Sequence, residues 1–138
     1  MPEKDSNTKD PAGEIQPGFI LANKYKIERL VASGGMGFVY LATNIAERQY
    51  VALKVMRTAL QRDKIAVERF KREIRTVKRL MHPNTVEMLD YGITADGSLF
   101  LVMEWLKGKD LRDILKAAHK LSPLTAAKIM TQVAWSLS

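Results

Sequence analysis

Apolar and polar positions divide the first two thirds of the chain into short strand-like runs and one helix. Residues 25–31, 38–42 and 49–56 are rich in β-branched and aromatic side chains, and a glycine-rich turn and a polar turn separate them. Such runs predict three strands. Over residues 64–81 the apolar residues recur every three or four positions, which predicts a helix that ends before Pro83. The predicted apolar stripe of this helix consists of Ile65, Phe70, Ile74, Val77 and Leu80.

Two further apolar runs, 85–93 and 99–106, follow the helix. The Asp-Gly pair between them is typical of a tight hairpin turn. The pattern thus predicts a set of five strands with one helix inserted. The remainder is helical, with one helix over residues 110–119 and a second that Ser122 caps and that runs to the end of the sequence.

The size and composition of the chain are those of one folded domain or part of one. It has 138 residues, of which 46% are hydrophobic and 27% are charged. Residues 1–18 are the exception, because they are rich in Lys, Asp, Glu, Asn and Pro. We expect this segment to be a disordered lead-in with little that could join a core, and the ordered part to begin near Phe19.

The net charge of +7 favours acidic partners, such as nucleotides, nucleic acids or anionic membranes. Many of the basic residues crowd the predicted helix over 64–81, without interleaved aromatic residues, so we expect a solvated helix face and no nucleic-acid partner. The chain has no cysteine, which excludes disulfides, thiolate metal sites and cysteine nucleophiles. No run of residues is long and apolar enough for a membrane span, so we expect a cytoplasmic location. A longer parent protein could still contain a membrane span in its remaining part.

The turn between the first two predicted strands contains three glycines, Gly34, Gly35 and Gly37. Glycine tolerates a positive φ and lets backbone N–H groups approach a ligand closely. We therefore interpret this stretch as a phosphate cradle. A glycine-rich turn alone, however, is more often an ordinary hairpin turn.

Two charged residues stand close to the predicted core. Alternation along the third strand places Lys54 on the same face as Ala52 and Met56. On an interior strand a lysine in this position is costly unless it meets an anion, whereas on an edge strand it would simply extend into solvent. Glu73 lies beside the apolar stripe of the helix, and the usual alternative for a glutamate is a solvated carboxylate on the helix face. The sequence leaves open whether the two side chains meet.

Five motifs in this order are typical of one family. They are A-S-G-G-M-G-F-V over 32–39, V-A-L-K over 51–54, Glu73 within R-F-K-R-E-I, H-P-N over 82–84 and L-V-M-E-W-L over 101–106. The chain resembles the small lobe of a protein kinase, most closely the bacterial eukaryotic-like Ser/Thr kinases. The resemblance implies an α+β fold: a five-stranded antiparallel sheet with one packed helix over residues 19–106, including the hinge, followed by the first two helices of the large lobe over 107–138.

The resemblance also implies how ATP is held. The glycine-rich turn would cover the phosphates, Lys54 would bind the α- and β-phosphates, and Glu73 would fix the position of Lys54. The adenine would lie between hydrophobic side chains and the backbone of the connector after the last strand, with a ribose contact beyond it. The residues implied are Ala32, Ser33, Gly34, Gly35, Met36, Gly37, Val39, Ala52, Lys54, Glu73, Met103, Glu104, Leu106, Asp110 and Leu111. In this scheme Val39 and Ala52 roof the adenine, Leu111 helps to form its floor, and Met103 is the gatekeeper.

Two departures from the family pattern qualify this picture. Ala32 replaces the first glycine of the turn, which is a mild change. The catalytic-loop Asp and the magnesium-binding Asn and D-F-G Asp are absent from the sequence, so no catalytic residue and no metal ligand is assigned. We therefore expect the ATP-binding N-terminal part of a Ser/Thr protein kinase that is truncated before the catalytic loop and is inactive alone. The resemblance implies that this chain binds ATP. Magnesium would join the ATP, and a protein substrate would be phosphorylated, in the full-length parent.

The helix over 122–138 carries an apolar stripe that the rest of a large lobe would cover. We expect the isolated chain to be marginally stable or to self-associate through this helix. The alternative is a non-catalytic kinase-like module that binds a nucleotide or a partner, and a decayed gene product is a third interpretation.

Overall fold

The computed structural model of the protein describes residues 9–10 and 13–138. In the described part, strands and helices follow one another in the order that the apolar pattern predicts. The strands are β1 (Ile20–Leu21), β2 (Tyr25–Ser33), β3 (Gly37–Asn44), β4 (Gln49–Met56), β5 (Met88–Ile93) and β6 (Leu99–Glu104). The helices are α1 (Lys64–Arg79), α2 (Leu111–Ala118) and α3 (Pro123–Leu137), with a short 3-10 helix over Thr58–Leu60 before α1.

The strands form one antiparallel sheet in the order β1-β2-β3-β4-β6-β5. The prediction of an α+β fold with an antiparallel sheet is confirmed, but the count of five strands is wrong, because the sheet has six. The additional strand is β1, in which Ile20 pairs with Lys26 and Leu21 with Tyr25. A strand of two residues is too short to show an alternating pattern, so the sequence gives no signal for it.

The two faces of the sheet bury two separate hydrophobic clusters. On β4, Val51, Leu53 and Val55 all belong to the first cluster, together with Tyr25, Ile27 and Tyr40 from the neighbouring strands. Met56, on the opposite face of β4, belongs to the second cluster, which lies between the sheet and α1. The alternation predicted for β4 therefore separates the two cores. It also directs Lys54 to the face that α1 covers.

Helix α1 begins at an N-cap, Asp63, whose carboxylate accepts hydrogen bonds from two backbone N–H groups of the first turn. Its buried residues are Ala66, Phe70 and Ile74, which recur every four positions. The prediction that Ile65 belongs to the buried stripe is wrong, since this side chain is 67% exposed. The next residue, Ala66, takes the buried place, with 7% of its surface exposed.

The predicted lead-in over residues 1–18 lies partly outside the described residues. Its described part contributes a core residue, because Ile15 is 1% exposed and belongs to the first cluster. The Ile15 N–H donates a hydrogen bond to the Tyr40 hydroxyl at 2.8 Å, and burial raises the pKa of Tyr40 to about 12. The expectation that this segment has little that could join a core thus does not hold for Ile15. The boundary at residue 19 stays a prediction.

A cluster of polar groups holds Lys9 against the turn between β5 and β6. Its ammonium forms an ion pair with Asp96 and lies 3.3 Å from the hydroxyl oxygen of the buried Ser98. Burial of Asp96 opposes its ionisation, but the hydrogen bonds from Lys9 and Thr94 and the charge of Lys9 outweigh this effect and lower the pKa of Asp96 to about 2. The lead-in is therefore attached to the β5–β6 turn.

Helices α2 and α3 contain no buried residue. Ser122 caps α3 as predicted, through a hydrogen bond from the Thr125 N–H. The predicted apolar stripe of α3 is largely open to solvent, with Met130 62% and Leu137 73% exposed. Within the described residues, no helix is long and apolar enough to cross a membrane.

Candidate nucleotide site

The centre of the candidate site is an ion pair between Lys54 and Glu73. The Lys54 Nζ and Glu73 Oε1 atoms are 2.7 Å apart, and their side chains are 23% and 37% exposed. The question that the sequence leaves open is thus answered, because the two side chains meet. The edge-strand interpretation of Lys54 is wrong, since β4 lies between β3 and β6.

Local structure explains why these two residues meet. Lys54 lies on the face of β4 that α1 covers. Glu73 follows Phe70 by three residues and Ala66 by seven, so it lies on the side of α1 that faces the sheet. A carboxylate at this position compensates the ammonium that the strand brings beneath the helix. Both groups keep some access to solvent, and an anionic ligand could approach the ammonium.

The glycine-rich turn joins β2 to β3 beside this ion pair. The Gly34 N–H donates to the Gly37 carbonyl oxygen at 2.9 Å, which closes the turn. Gly37 is required by packing, because a Cβ atom there would lie 2.1 Å from the Val55 carbonyl oxygen. A Cβ at Gly34 or Gly35 would meet nothing within 4 Å, and none of the three glycines has a positive φ. The turn therefore does not use the positive φ that glycine tolerates. Gly34 and Gly35 leave open space beside its backbone, and Gly37 allows the close approach of β4.

Three further predicted residues lie on the same face as Lys54. Val39 pairs directly with Lys54 across β3 and β4, and Ala52 pairs with Met103 across β4 and β6. Residues directly opposite each other, or two apart on one strand, share a face. Val39, Ala52, Lys54 and Met103 therefore form one continuous surface beside the turn. Ala32 pairs with Val39 and Ser33 with Phe38 at the base of the turn, and Met36 packs against the second cluster.

The predicted residues after β6 are not brought into this surface by any hydrogen bond among the described residues. The Glu104 N–H donates to the Glu87 carbonyl oxygen at 3.0 Å, where β6 ends. Leu106 is 58% exposed and Leu111 is 43% exposed. The Asp110 carboxylate caps α2 by accepting from the Asp113 N–H at 2.8 Å. The structure thus brings together the predicted site residues of the sheet, whereas Leu106, Asp110 and Leu111 lie on the solvent-exposed chain that follows it.

Sequence reasoning missed one residue at the turn. Arg57 follows the last residue of β4 and contacts residues 33–38 through hydrogen bonds and a stacked ring. The available signal was the register of the hairpin, because Met56 lies opposite Gly37 and the next residue must therefore lie beside the turn. No group of three or more His, Asp or Glu side chains placed to hold a metal ion occurs in residues 9–10 and 13–138.

Comparison with known proteins agrees with this geometry. The family described as the protein kinase domain matches residues 25–138. The chain belongs to the protein kinase family. The resemblance that five motifs predict is thereby confirmed. The match begins at the first residue of β2, so the described lead-in and β1 lie before it.

Named relatives are bacterial serine/threonine kinases. The serine/threonine-protein kinase pkn3 of Myxococcus xanthus is 40% identical over 121 residues, which cover 88% of this chain and 22% of pkn3. The serine/threonine-protein kinase PknH of Mycobacterium tuberculosis is 41% identical over 113 residues, which cover 82% of this chain and 18% of PknH. The chain spans about a fifth of the length of these curated relatives. It is a partial kinase domain related to theirs.

A solved structure has the same fold. The crystal structure of the PknI kinase domain of M. tuberculosis matches with a TM-score of 0.74 and 28% sequence identity. The match covers 90% of this chain and 49% of the PknI chain. The arrangement of an antiparallel sheet with α1, followed by α2 and α3, is therefore that of the first half of a kinase domain.

Proposed function

We propose that this chain is the ATP-binding N-terminal part of a serine/threonine protein kinase. The observation that carries the proposal is the Lys54–Glu73 ion pair beside an open glycine-rich turn. An ammonium held at a fixed position, next to backbone N–H groups with open space above them, is suited to the phosphates of a nucleotide. Glu73 would orient the ammonium while the phosphates neutralise its charge.

The nucleotide would lie along the surface formed by Val39, Ala52, Lys54 and Met103. In this arrangement the turn, Ala32 to Gly37, covers the phosphates with its backbone N–H groups, which include those of Ser33 and Met36. The adenine packs between Val39 and Ala52 on one side and Leu111 on the other, with Met103 behind it. The Glu104 carbonyl, at the last residue of β6, and the Leu106 N–H beyond it bind the edge of the adenine, because the strand pairing of β6 ends there. One carboxylate oxygen of Asp110 caps α2, and the other remains for a ribose hydroxyl.

In the parent kinase the bound ATP would supply its γ-phosphoryl group to a Ser or Thr hydroxyl of a protein substrate. We assign the catalytic Asp and the magnesium ligands to the rest of that parent, because neither H-R-D nor D-F-G occurs in the sequence. The chain alone would bind ATP without transferring phosphate. The cytoplasmic location expected from the composition remains part of this proposal.

A second candidate is a non-catalytic module that binds a nucleotide or another protein. The exposure of α3 favours it, since Trp135 is 69% exposed and no residue of this helix is buried. The remainder of a large lobe or a second copy of the chain would cover this face. A reading frame that continues after Ser138 into a catalytic loop would support the first candidate, and a stop codon there would support the second.

Calorimetric titration with adenine nucleotides tests nucleotide binding. We expect saturable binding of ATP and weaker binding by Glu73→Gln, because the amide no longer holds the Lys54 ammonium. Glu68→Gln is the matched control, since the Glu68 side chain is 63% exposed on the same helix and forms ion pairs with Lys71 and Arg75. Equal affinity of Glu73→Gln and Glu68→Gln for ATP would contradict the assigned role of the ion pair.

A further inference from the structure

Arg57 contacts the glycine-rich turn at four points. Its N–H donates to the Met36 carbonyl oxygen at 2.9 Å, and its Nε atom donates to the Gly34 carbonyl oxygen at 2.7 Å. Its Nη2 atom donates to the Ser33 hydroxyl at 3.1 Å. The guanidinium carbon also lies 4.4 Å from the centre of the Phe38 ring. One residue therefore binds both sides of the turn, from the end of β2 to the start of β3.

Few other interactions hold the turn. The Gly34–Gly37 hydrogen bond closes it and Met36 packs against the second cluster, but Gly34 and Gly35 have no neighbour against which a side chain could pack. In residues 9–10 and 13–138, no side chain other than that of Arg57 makes a hydrogen bond to residues 33–36. A glycine-rich segment loses much conformational entropy when it is ordered, so a fixed partner has a large effect on it.

We propose that Arg57 is a positioning residue that holds the glycine-rich turn in the conformation that receives the phosphates of ATP. This inference rests on the proposed function. By engaging the Gly34 carbonyl oxygen, the guanidinium keeps a negative dipole end away from the phosphates. By ordering the turn before the ligand arrives, it removes part of the entropy cost of binding. Stacking on Phe38 fixes the guanidinium plane itself.

Charge alone is the competing explanation, because a cation near the turn attracts phosphates without positioning anything. The two explanations differ in their expectation for Arg57→Lys. Lysine keeps the positive charge but lacks the planar group that donates from Nε and Nη2 while stacking on a ring. Positioning therefore predicts that lysine does not restore the wild-type behaviour, whereas charge alone predicts that it does.

The experiment compares four forms of the chain: wild type, Arg57→Ala, Arg57→Lys and Arg62→Ala. Arg62→Ala removes the same charge five residues further on, at an exposed side chain between the short 3-10 helix and α1. Each form is titrated with ATP and with adenosine. We expect both Arg57 variants to bind ATP about 3- to 10-fold more weakly, as for the loss of one or two partly exposed charge-assisted hydrogen bonds, and to bind adenosine unchanged. Arg57→Lys with wild-type affinity for ATP, or Arg57→Ala equal to Arg62→Ala, would overturn the proposal.

A second readout needs no nucleotide. We expect the Gly34 amide to exchange its hydrogen faster in both Arg57 variants than in wild type and Arg62→Ala, with the Gly97 amide of the β5–β6 turn unchanged as an internal reference. Unchanged exchange at Gly34 would show that Arg57 does not hold the turn. Absence of ATP binding by the wild-type chain would instead overturn the proposed function, and the exchange rates would still decide whether Arg57 orders the turn.

Discussion

Replacement of Ile15 by alanine tests whether the segment before the kinase match belongs to the folded lobe. Ile15 is 1% exposed and packs in the first cluster, although it lies ten residues before the matched region begins at residue 25. The substitution removes three buried carbon atoms and leaves the backbone N–H that donates to Tyr40 in place. The loss of free energy of unfolding is therefore due to apolar packing alone.

The magnitude follows from the burial. Truncation of a fully buried isoleucine to alanine costs about 2–5 kcal/mol. We expect a loss of about 3 kcal/mol here, because Ile15 lies near the N-terminal end of the described residues, where the surrounding chain can partly relax. With a urea dependence of about 2 kcal/mol per M for a small domain, the midpoint of urea unfolding should fall by roughly 1.5 M.

The assay is urea unfolding followed by circular dichroism, with Ile45→Ala as the matched control. Ile45 is 44% exposed in the β3–β4 turn, so the same chemical change should cost less than about 1 kcal/mol there. A midpoint for Ile15→Ala that equals the midpoint for Ile45→Ala would refute the reasoning and would mean that the lead-in is not part of the stable core.

Two other perturbations have expectations that follow from single contacts. Gly37→Ala should lower the free energy of unfolding by about 1–3 kcal/mol, because its Cβ atom would lie 2.1 Å from the Val55 carbonyl oxygen and the hairpin must shift. Asp96 has a pKa lowered from 3.8 to about 2, so its ionised carboxylate stabilises the fold above about pH 4, and this contribution is lost as the pH falls toward 2. Asp96→Asn should accordingly lower stability at pH 6 and flatten the decline between pH 4 and pH 2, measured by thermal unfolding.

Each of these expectations has a control. Gly35→Ala should leave stability unchanged within about 0.5 kcal/mol, since nothing lies within 4 Å of the added atom, and a loss as large as that of Gly37→Ala would contradict the packing argument. For the acid titration, Asp113→Asn changes an exposed carboxylate of α2. If it flattens the decline as much as Asp96→Asn does, the attachment of Lys9 to Asp96 is not the cause.

Periodicity predicted the regular elements of this fold well. The alternation over β4 identified the strand with its observed ends, and the spacing of apolar residues located α1 to within two residues. The same reasoning failed at Ile65, because a repeat of three or four positions does not say which of two adjacent residues faces the sheet. The residue that is buried, Ala66, is the less hydrophobic of the two, so a hydrophobicity pattern does not favour it.

Tertiary contacts between distant segments could not be predicted in this way. Ile15 stands alone among polar residues, so no pattern marks it as buried, and its place depends on the Tyr40 hydroxyl 25 positions away. The role of glycine at residue 37 is likewise set by a neighbouring strand, since the atom that excludes a side chain belongs to Val55. The contacts between these residues depend on strand register and tertiary packing, which the hydrophobic pattern does not predict.

In the candidate site, too, residue identities could be predicted from the sequence, whereas contacts between distant segments could not. Motifs identified Lys54 and Glu73, and the face of each could be derived from strand alternation and helix spacing. Their meeting required the distance between β4 and α1, which depends on the packing of Phe70 and Ile74. The contacts of Arg57 were missed because they depend on hairpin register and not on residue type. The residues after β6, including Asp110, stay predictions because nothing within the described residues tests them.

The central claim is that Lys54 and the glycine-rich turn form a nucleotide site in this chain. Its most direct test is calorimetric titration of the purified, folded chain with ATP and magnesium, beside Lys54→Ala and the control Lys26→Ala, an exposed lysine of β2. We predict saturable ATP binding in the wild type and in Lys26→Ala, and binding at least about 10-fold weaker in Lys54→Ala, as for the loss of a charge-assisted contact. Binding that is absent from the folded wild type, or that Lys54→Ala leaves unchanged, would contradict the account.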